Sequence, residues 1–244
     1  MIKKLIMLFK IGRKLSASGA ISSIYEIYNP PVLIKVLFLI IGFSFKNKKN
    51  EDNLPSGLKL CNALQSMGTT FIKLGQFLAT RPDIIGQKLT DDLEKLQDKL
   101  PPFDTAISKD ILRKEIGEKQ FLNIVKISEP IAAASIAQVH IAKIIIDKEE
   151  KNVAIKILRP DIEKIFNEEL DALMLFAYIV ENTFTKAKRL KLVEVVYLLR
   201  EITNVEMDLR FEAAAANELY ENTKSDKGFN VPKIYWNYTT RKIL

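Results

Sequence analysis

The chain has 244 residues, of which 48% are hydrophobic and 27% charged, with 9 glycines and 9 prolines. This composition indicates a globular protein of one or two packed domains and excludes a fibrous or low-complexity chain. The single cysteine, Cys61, cannot form an internal disulfide, so we expect a reducing compartment. A single histidine, His140, leaves little material for a His-based zinc site or a Ser-His-Asp triad.

The formal net charge of +7 is concentrated at the start of the chain. Residues 1–50 contain nine Lys and Arg residues against one acid, Glu26, so this stretch carries +8 and the remaining 194 residues carry −1. A basic groove across the body of the protein is therefore not expected, and we predict no nucleic-acid partner.

The first fifteen residues, MIKKLIMLFKIGRKL, predict a basic amphipathic helix. Lys3, Lys10 and Lys14 fall within about 40° of one another on a helical wheel. The opposite side is apolar and consists of Leu5, Leu8, Phe9 and Leu15. This pattern is typical of a helix that lies on an anionic membrane surface.

A second apolar stretch, residues 32–45, has about 14 residues, whereas a membrane-spanning helix needs about 20. It also contains Lys35. We therefore interpret residues 1–50 as a membrane-associating segment with no span, and the alternative is that both stretches pack on the body of the protein.

The rest of the chain predicts helices, then a β-meander, then helices and two further strands, which is an α+β order. A polar linker covers residues 46–56. Helices are predicted at about 57–80, 89–100, 108–117 (Ser108 as N-cap, Gly117 at its end), 161–186 and 190–221. Strands are predicted at 123–128, 137–146, 152–158, 229–236 and 241–244, with a hairpin turn at 147–152.

The sequence VAIKIL, residues 153–158, places a lysine on a strand. Alternation directs Val153, Ile155 and Ile157 to the core, and it directs Lys156 to the opposite face beside the small Ala154. In protein kinases a strand of this type carries the lysine that pairs the α- and β-phosphates of the nucleotide with a helix glutamate. The alternative is an ordinary solvated lysine.

Glu206, Asp208 and Glu212 are candidate partners of this lysine on the predicted helix 190–221. On a helical wheel Asp208 and Glu212 share a face, and Glu206 lies about 120° from Glu212. One helix would then present acids in two directions, although a solvated acidic face is also consistent with this pattern.

Lys73 and Gln76 lie about 60° apart on the predicted helix 57–80, away from its apolar stripe. Between them Gly75 costs a helix about 1 kcal/mol relative to alanine, which indicates a close approach at this position. The outer face of an amphipathic helix is the alternative.

Three of these stretches, residues 71–83 (FIKLGQFLATRPD), 132–140 (AAASIAQVH) and 206–217, resemble in order and spacing the UbiB-type atypical kinase-like family linked to ubiquinone biosynthesis. The resemblance covers about residues 55–244. It implies a kinase-like N-lobe, a small antiparallel sheet with its helix C, in residues 123–244. A family-specific helical extension with the KxGQ element would occupy residues 51–122.

The resemblance also implies roles for individual residues. Lys156 would be the nucleotide lysine and Glu212 its helix partner, while Glu206 and Asp208 would face Lys73 of the KxGQ element, which also contains Gln76. An alanine-rich turn would replace the glycine-rich loop of kinases. The nucleotide-binding run would then comprise Ala132, Ala133, Ala134, Ser135, Ile136, Ala137, Gln138 and Val139.

The alanine-rich turn cannot wrap phosphates as a glycine loop does, because alanine lacks easy access to positive φ. It can present backbone N–H groups and the hydroxyl of Ser135. We interpret His140, which follows the turn, as a structural residue.

The chain contains no H-x-D…N and no DFG pattern, so we expect the C-lobe to be absent, no catalytic residue and no metal ligand in the chain, and no measurable ATP turnover by the chain alone. The resemblance implies ATP and Mg²⁺ as cofactors. It further implies ubiquinone-biosynthesis proteins or a complementary C-lobe polypeptide as partners, at the cytoplasmic face of a bacterial inner membrane. A non-catalytic membrane-surface module, or the remnant of a split gene, is the alternative, and whether the chain is an enzyme stays open.

Overall fold

The structure, a computed structural model, describes residues 1–18, 20 and 55–244, in which helices precede and follow a three-stranded antiparallel sheet. Before the sheet lie helices α1 (Ile2–Ala17), α2 (Ser56–Met67), α3 (Thr69–Ala79), α4 (Pro82–Ile85), α5 (Gln87–Leu93) and α6 (Thr105–Phe121). After it lie α7 (Ile162–Thr183), a 3₁₀ helix (Thr185–Leu190), α8 (Leu192–Glu206), α9 (Leu209–Thr223) and a 3₁₀ turn (Trp236–Tyr238). The predicted α+β class is confirmed, and the prediction for residues 32–45 lies outside the described residues.

The sheet is a meander of β1 (Ile124–Ala133), β2 (Ala137–Ile146) and β3 (Glu149–Leu158). β2 and β3 pair without interruption, whereas the register between β1 and β2 shifts several times. Asp147 and Lys148 join β2 to β3 with φ of 54° and 68°, the left-handed geometry of a two-residue hairpin turn. The predicted turn over 147–152 is therefore too long.

A hydrophobic core lies between α6 and one face of the sheet. It contains Leu112 and Ile116 from α6, together with Ala142, Ile155, Ile157 and Ile243. Val153 packs against this cluster. The predicted core face of β3 is thus confirmed, because alternation fixes which side chains share a face.

The described chain forms two compact units. The first unit comprises Met1–Asp98 and Lys164–Arg200, and the second comprises Lys99–Glu163 and Glu201–Leu244. In the first unit α2, α3 and α5 pack on one another. The second unit contains α6, the sheet and α9. The boundaries predicted at residues 50 and 122 stay predictions.

The predicted helices before the sheet differ from the observed ones at glycines and caps. Gly68, with φ of 105°, divides the predicted helix 57–80 into α2 and α3. The helix predicted at 89–100 ends at Leu93. The apolar spacing continues through both places, so periodicity alone misses these ends.

Ser108 is not the N-cap of α6. Asp104 caps the helix, and its carboxylate accepts a hydrogen bond of 2.7 Å from the Ala106 N–H. Ser108 lies inside the helix and is completely buried. Gly117, with φ of 81° and ψ of 160°, interrupts the helical geometry where the sequence predicted its end.

The last three predicted elements also differ. The helix predicted at 190–221 is two helices, α8 and α9, separated at Met207 and Asp208. Residues 229–236 form no strand. Residues 241–244 contribute only an isolated bridge, Ile243 with Ile157 of β3.

Candidate functional site

An ion pair between β3 and α9 is the centre of the candidate site. Lys156 Nζ lies 2.8 Å from Glu212 Oε1 and 2.6 Å from Glu212 Oε2. The two side chains are 28% and 50% exposed. Of the three acids proposed from the sequence, Glu212 is the one that the structure places on this lysine.

Lys156 is held by backbone hydrogen bonds at the edge of β3 that faces away from β2. Its N–H donates to the Leu244 carbonyl at 2.7 Å, and its carbonyl accepts from the Leu244 N–H at 3.0 Å. Both backbone groups therefore point away from Val139, the residue opposite on β2. In such a non-hydrogen-bonded pair the side chains are close, so Val139 lies beside the lysine stem.

The start of α9 is fixed by Asp208, which is the N-cap of the helix. Its carboxylate accepts from the Arg210 N–H at 3.2 Å and from the Arg210 guanidinium at 2.9 and 2.6 Å. This guanidinium is the main reason that the pKa of Asp208 is lowered. Glu212 follows in the first helical turn, where the helix dipole stabilises a negative charge.

Residues 241–244 connect α9 to β3. The Arg241 carbonyl accepts from the Leu209 N–H at 2.9 Å, and the Lys242 carbonyl accepts from the Leu158 N–H at 3.0 Å. Together with the two Leu244 bonds to Lys156, these contacts fix the helix relative to the strand. The geometry of the ion pair therefore depends on a segment distant in sequence from both of its members.

A cavity of about 530 Å³ opens beside the ion pair, within the range of roughly 300–1,000 Å³ typical of small-molecule sites. Lys156 and Glu212 supply its charged wall, and Val139 and Ala154 line it next to them. Much of the remaining lining is apolar and includes Leu112, Ile116, Val153, Ile155, Ile234 and Ile243. Such a cavity can take a flat apolar ring beside a charged group.

The alanine-rich stretch is divided between a strand and a turn. Ala132 and Ala133 end β1, so the turn itself is residues 134–136. The Ala134 N–H donates to the Ala137 carbonyl at 2.8 Å, which closes the turn. Ser135 is completely buried. Its hydroxyl is therefore closed off from solvent, and its predicted contact with a ligand stays a prediction.

Gln138 and His140 belong to a buried polar cluster rather than to the cavity. The Gln138 amide binds the backbone of Phe103 on both sides, with its Oε1 2.9 Å from the N–H and its Nε2 3.1 Å from the carbonyl. His140 Nδ1 lies 2.8 Å from the Ser128 carbonyl, and Nε2 lies 3.0 Å from Ser108 Oγ. The structural interpretation of His140 is confirmed, whereas the side chain of Gln138 is used within the protein.

The KxGQ residues lie in the first unit, on α3. Lys73 and Gln76 are half-buried there, and their pairing with Glu206 and Asp208 stays a prediction. Glu206 is half-buried at the end of α8, while Asp208 binds Arg210, a partner not foreseen from the sequence. The helical-wheel argument that Asp208 shares a face with Glu212 is wrong, because Asp208 precedes the helix.

Gly75 marks a close approach, as its cost to a helix indicates. A Cβ at this position would lie 2.5 Å from a methyl group of Leu96 and 2.9 Å from one of Leu64. The approaching groups are thus leucines of the same unit.

No metal-ligand cluster occurs in the part of the chain that the structure describes: no three His, Cys, Asp or Glu side chains are placed to hold an ion. The acid among the described cavity residues, Glu212, is already paired with Lys156. The residues present therefore do not fit a Mg²⁺ site.

Helix α1 presents an apolar stripe to solvent. Ile2, Leu5, Ile6 and Phe9 are between 48% and 74% exposed. Leu8 and Leu15, which the helical wheel placed on the apolar side, are half-buried, and Lys4 forms an ion pair of 2.9 Å with Asp171. Among the described residues no helix is both long and apolar enough to cross a bilayer.

The chain is similar to known proteins over most of its length. A family model described as the ABC1 atypical kinase-like domain matches residues 95–244. A probable protein kinase UbiB of Azotobacter vinelandii is 37% identical over 222 residues, which cover 89% of this chain and 41% of that protein. The protein of the same name from Marinobacter nauticus is 34% identical over 215 residues, covering 88% and 38%. One from Pseudomonas fluorescens is 32% identical over 238 residues, covering 97% and 44%. The chain thus spans about two fifths of the length of these curated relatives.

Proposed function

Given that the chain belongs to the ABC1 atypical kinase-like family, we propose that its second unit is the nucleotide-binding portion of a UbiB-type kinase-like ATPase that supports ubiquinone biosynthesis. One observation carries this proposal: the Lys156–Glu212 ion pair lies at the wall of a cavity lined by Val139 and Ala154. In protein kinases a strand lysine paired with a helix glutamate contacts the α- and β-phosphates of ATP.

In this proposal the residues of the chain bind and orient the nucleotide. The Lys156 ammonium meets the phosphates, and Glu212 holds the ammonium in place through two hydrogen bonds. Val139 and Ala154 leave a flat apolar surface for the base. The chain has no H-x-D…N or DFG pattern, so the proposal for these 244 residues is nucleotide binding without phosphoryl transfer.

The test is a titration of the purified chain with a fluorescent ATP analogue. Lys156→Ala should weaken binding by at least about tenfold, because a charge-assisted contact with the phosphates is lost. Lys143→Ala is the matched control. Lys143 is a half-exposed lysine of the same sheet that pairs with Glu150 at 3.4 Å. Equal affinities of the two variants for the ATP analogue would refute the proposal that Lys156 contacts the phosphates.

We further propose that α1 binds an anionic membrane surface, at the cytoplasmic face of a bacterial inner membrane. The exposed stripe of Ile2, Leu5, Ile6 and Phe9 supports this proposal, and so do the exposed cations Lys3, Lys10, Arg13 and Lys14 on the same helix. An amphipathic helix of this kind buries its apolar side chains at the interface, while its cations meet lipid phosphates. This surface would bring the nucleotide site to partners that act on a membrane-bound quinone.

Co-sedimentation with vesicles tests this surface. The chain should pellet with phosphatidylglycerol vesicles and less with neutral phosphatidylcholine vesicles. The double variant Ile6→Asp with Phe9→Asp should abolish pelleting. Ile107→Asp is the control, because Ile107 is an exposed isoleucine of α6, at 41%. Unchanged pelleting of the α1 variant would refute a role for α1 in membrane binding.

A further inference from the structure

Arg159 follows the last residue of β3 and contacts three backbone groups with its own N–H and its guanidinium. Its backbone N–H donates to the Ile136 carbonyl at 2.9 Å. Its Nε and Nη2 donate to the Ala134 carbonyl at 3.0 and 2.8 Å. Nη2 also lies 3.3 Å from the Leu100 carbonyl. The Arg159 guanidinium thus holds the first residue of the turn, residues 134–136 of the alanine-rich stretch, and the Arg159 backbone N–H holds the last.

The guanidinium is itself fixed by Phe103. Its central carbon lies 5.8 Å from the centroid of the Phe103 ring, within the range of a cation–π contact. The backbone of Phe103 is bound on both sides by the buried amide of Gln138. Because the planar guanidinium has donors in a fixed fork, this support orients the two bonds to Ala134.

These contacts determine how the turn is oriented. None of residues 134–136 has a positive φ, so the turn uses a backbone geometry that alanine adopts without strain. The carbonyl and the N–H of one trans peptide point in opposite directions. Binding of the Ala134 carbonyl to Arg159 therefore directs the Ser135 N–H to the opposite side of the turn.

We propose that Arg159 is a positioning residue that fixes the turn leading into β2, the strand whose Val139 lines the cavity, and thereby sets the affinity of the site for the phosphates of a nucleoside triphosphate. This inference rests on the nucleotide-binding function proposed above. A glycine-rich loop adapts to phosphates through its own flexibility. In this protein the turn is instead held in one arrangement from outside. The Arg159 guanidinium binds the Ala134 carbonyl, and the Arg159 backbone N–H binds the Ile136 carbonyl.

The experiment compares Arg159→Gln with the unchanged 244-residue chain in two measurements. Hydrogen exchange should become faster in peptides that cover residues 132–139, because the Ala134 carbonyl loses its partner. Affinity for ATP should fall by roughly tenfold, while affinity for adenosine, which has no phosphate, should stay within about twofold. Arg159→Lys retains the charge without the fork and should give an intermediate result in both measurements.

Arg113→Gln is the matched control, because Arg113 also stacks on an aromatic ring, that of Phe121 at 4.6 Å, but contacts Glu118 instead of the turn. Unchanged exchange in Arg159→Gln would overturn the inference, and so would equal losses of ATP and adenosine affinity, which indicate general destabilisation. If the unchanged chain binds neither ligand, the proposed function fails. The effect of Arg159 on phosphate affinity then fails with it, and the exchange measurement alone still decides whether Arg159 fixes the turn.

Discussion

Asp208 has a different role in the structure from the one that its position in the sequence suggests. The helical wheel placed it on a helix face beside Glu212, whereas it precedes the helix and caps it. Its carboxylate is also bound by the Arg210 guanidinium. The spacing between two acids four residues apart does not show whether the first of them lies inside a helix or caps its start.

Replacement of Asp208 should destabilise the protein in a pH-dependent way. We expect Asp208→Ala to lower the free energy of unfolding by about 1 kcal/mol at pH 7, since an N-cap is lost. The pKa of Asp208 is lowered in the folded state, chiefly by the Arg210 guanidinium. The ionised form therefore stabilises the fold at pH values above the unfolded pKa of about 3.9, and this stabilisation is lost as the pH falls through the folded pKa.

Urea denaturation at pH 7 and at pH 3 measures this difference. The loss caused by Asp208→Ala should be smaller at pH 3 than at pH 7. Asp208→Asn keeps a capping oxygen without the charge and should lose less stability at pH 7. If Asp208→Ala lowers the free energy of unfolding equally at both pH values, the charge of Asp208 does not contribute to stability, and the prediction is contradicted.

At the scale of elements, the edge of β3 shows why the last predicted strands are wrong. Residues 241–244 are predicted as a strand, yet they meet β3 at one bridge, Ile243 with Ile157. The Lys242 and Leu244 backbones add hydrogen bonds to the same strand. The contribution of this segment is therefore to fix β3 to the start of α9, and it depends on partners that periodicity does not reveal.

Ile243 should contribute more to stability than the exposed isoleucines of the sheet. Its side chain is 2% exposed and packs with Leu112 and Ile155 in the core. We expect Ile243→Ala to lower the free energy of unfolding by about 2–5 kcal/mol, because a cavity remains where a buried side chain was. Chemical denaturation measures the loss.

Ile141→Ala is the control for this prediction, since Ile141 lies on the other face of the sheet and is 43% exposed. Its replacement should cost less than about 1 kcal/mol. Similar losses for the two variants would mean that residues 241–244 do not close the core.

At the scale of the whole molecule, the described chain forms two compact units, and the proposed site residues are divided between them. Lys156, Glu212 and Val139 meet at one cavity in the second unit. Lys73 and Gln76 belong to the first unit. The chain covers about two fifths of the length of the relatives that it matches.

Local rules predicted the parts of the fold that depend on neighbours in sequence. The strand pattern of residues 137–146 and 152–158, the core face of β3 and the helix at the start of the chain all follow from periods of 2 and 3.6 residues. Helix ends at Gly68 and Asp208 were not predicted, because the apolar spacing continues through them. The contacts of Arg159 were not predicted either, because a single arginine after a strand belongs to no periodic pattern.

The sequence by itself determined the family, the α+β class and the face of β3 on which Lys156 lies, because motifs and alternation are local properties of the chain. Only the tertiary structure decided that Glu212 pairs with Lys156, a residue 56 positions away, that Gln138 binds the backbone of Phe103, and that Arg159 binds the carbonyl of Ala134. The physical reason is that hydrogen bonds and ion pairs form within about 3–4 Å, and the chain brings such groups together only when it folds.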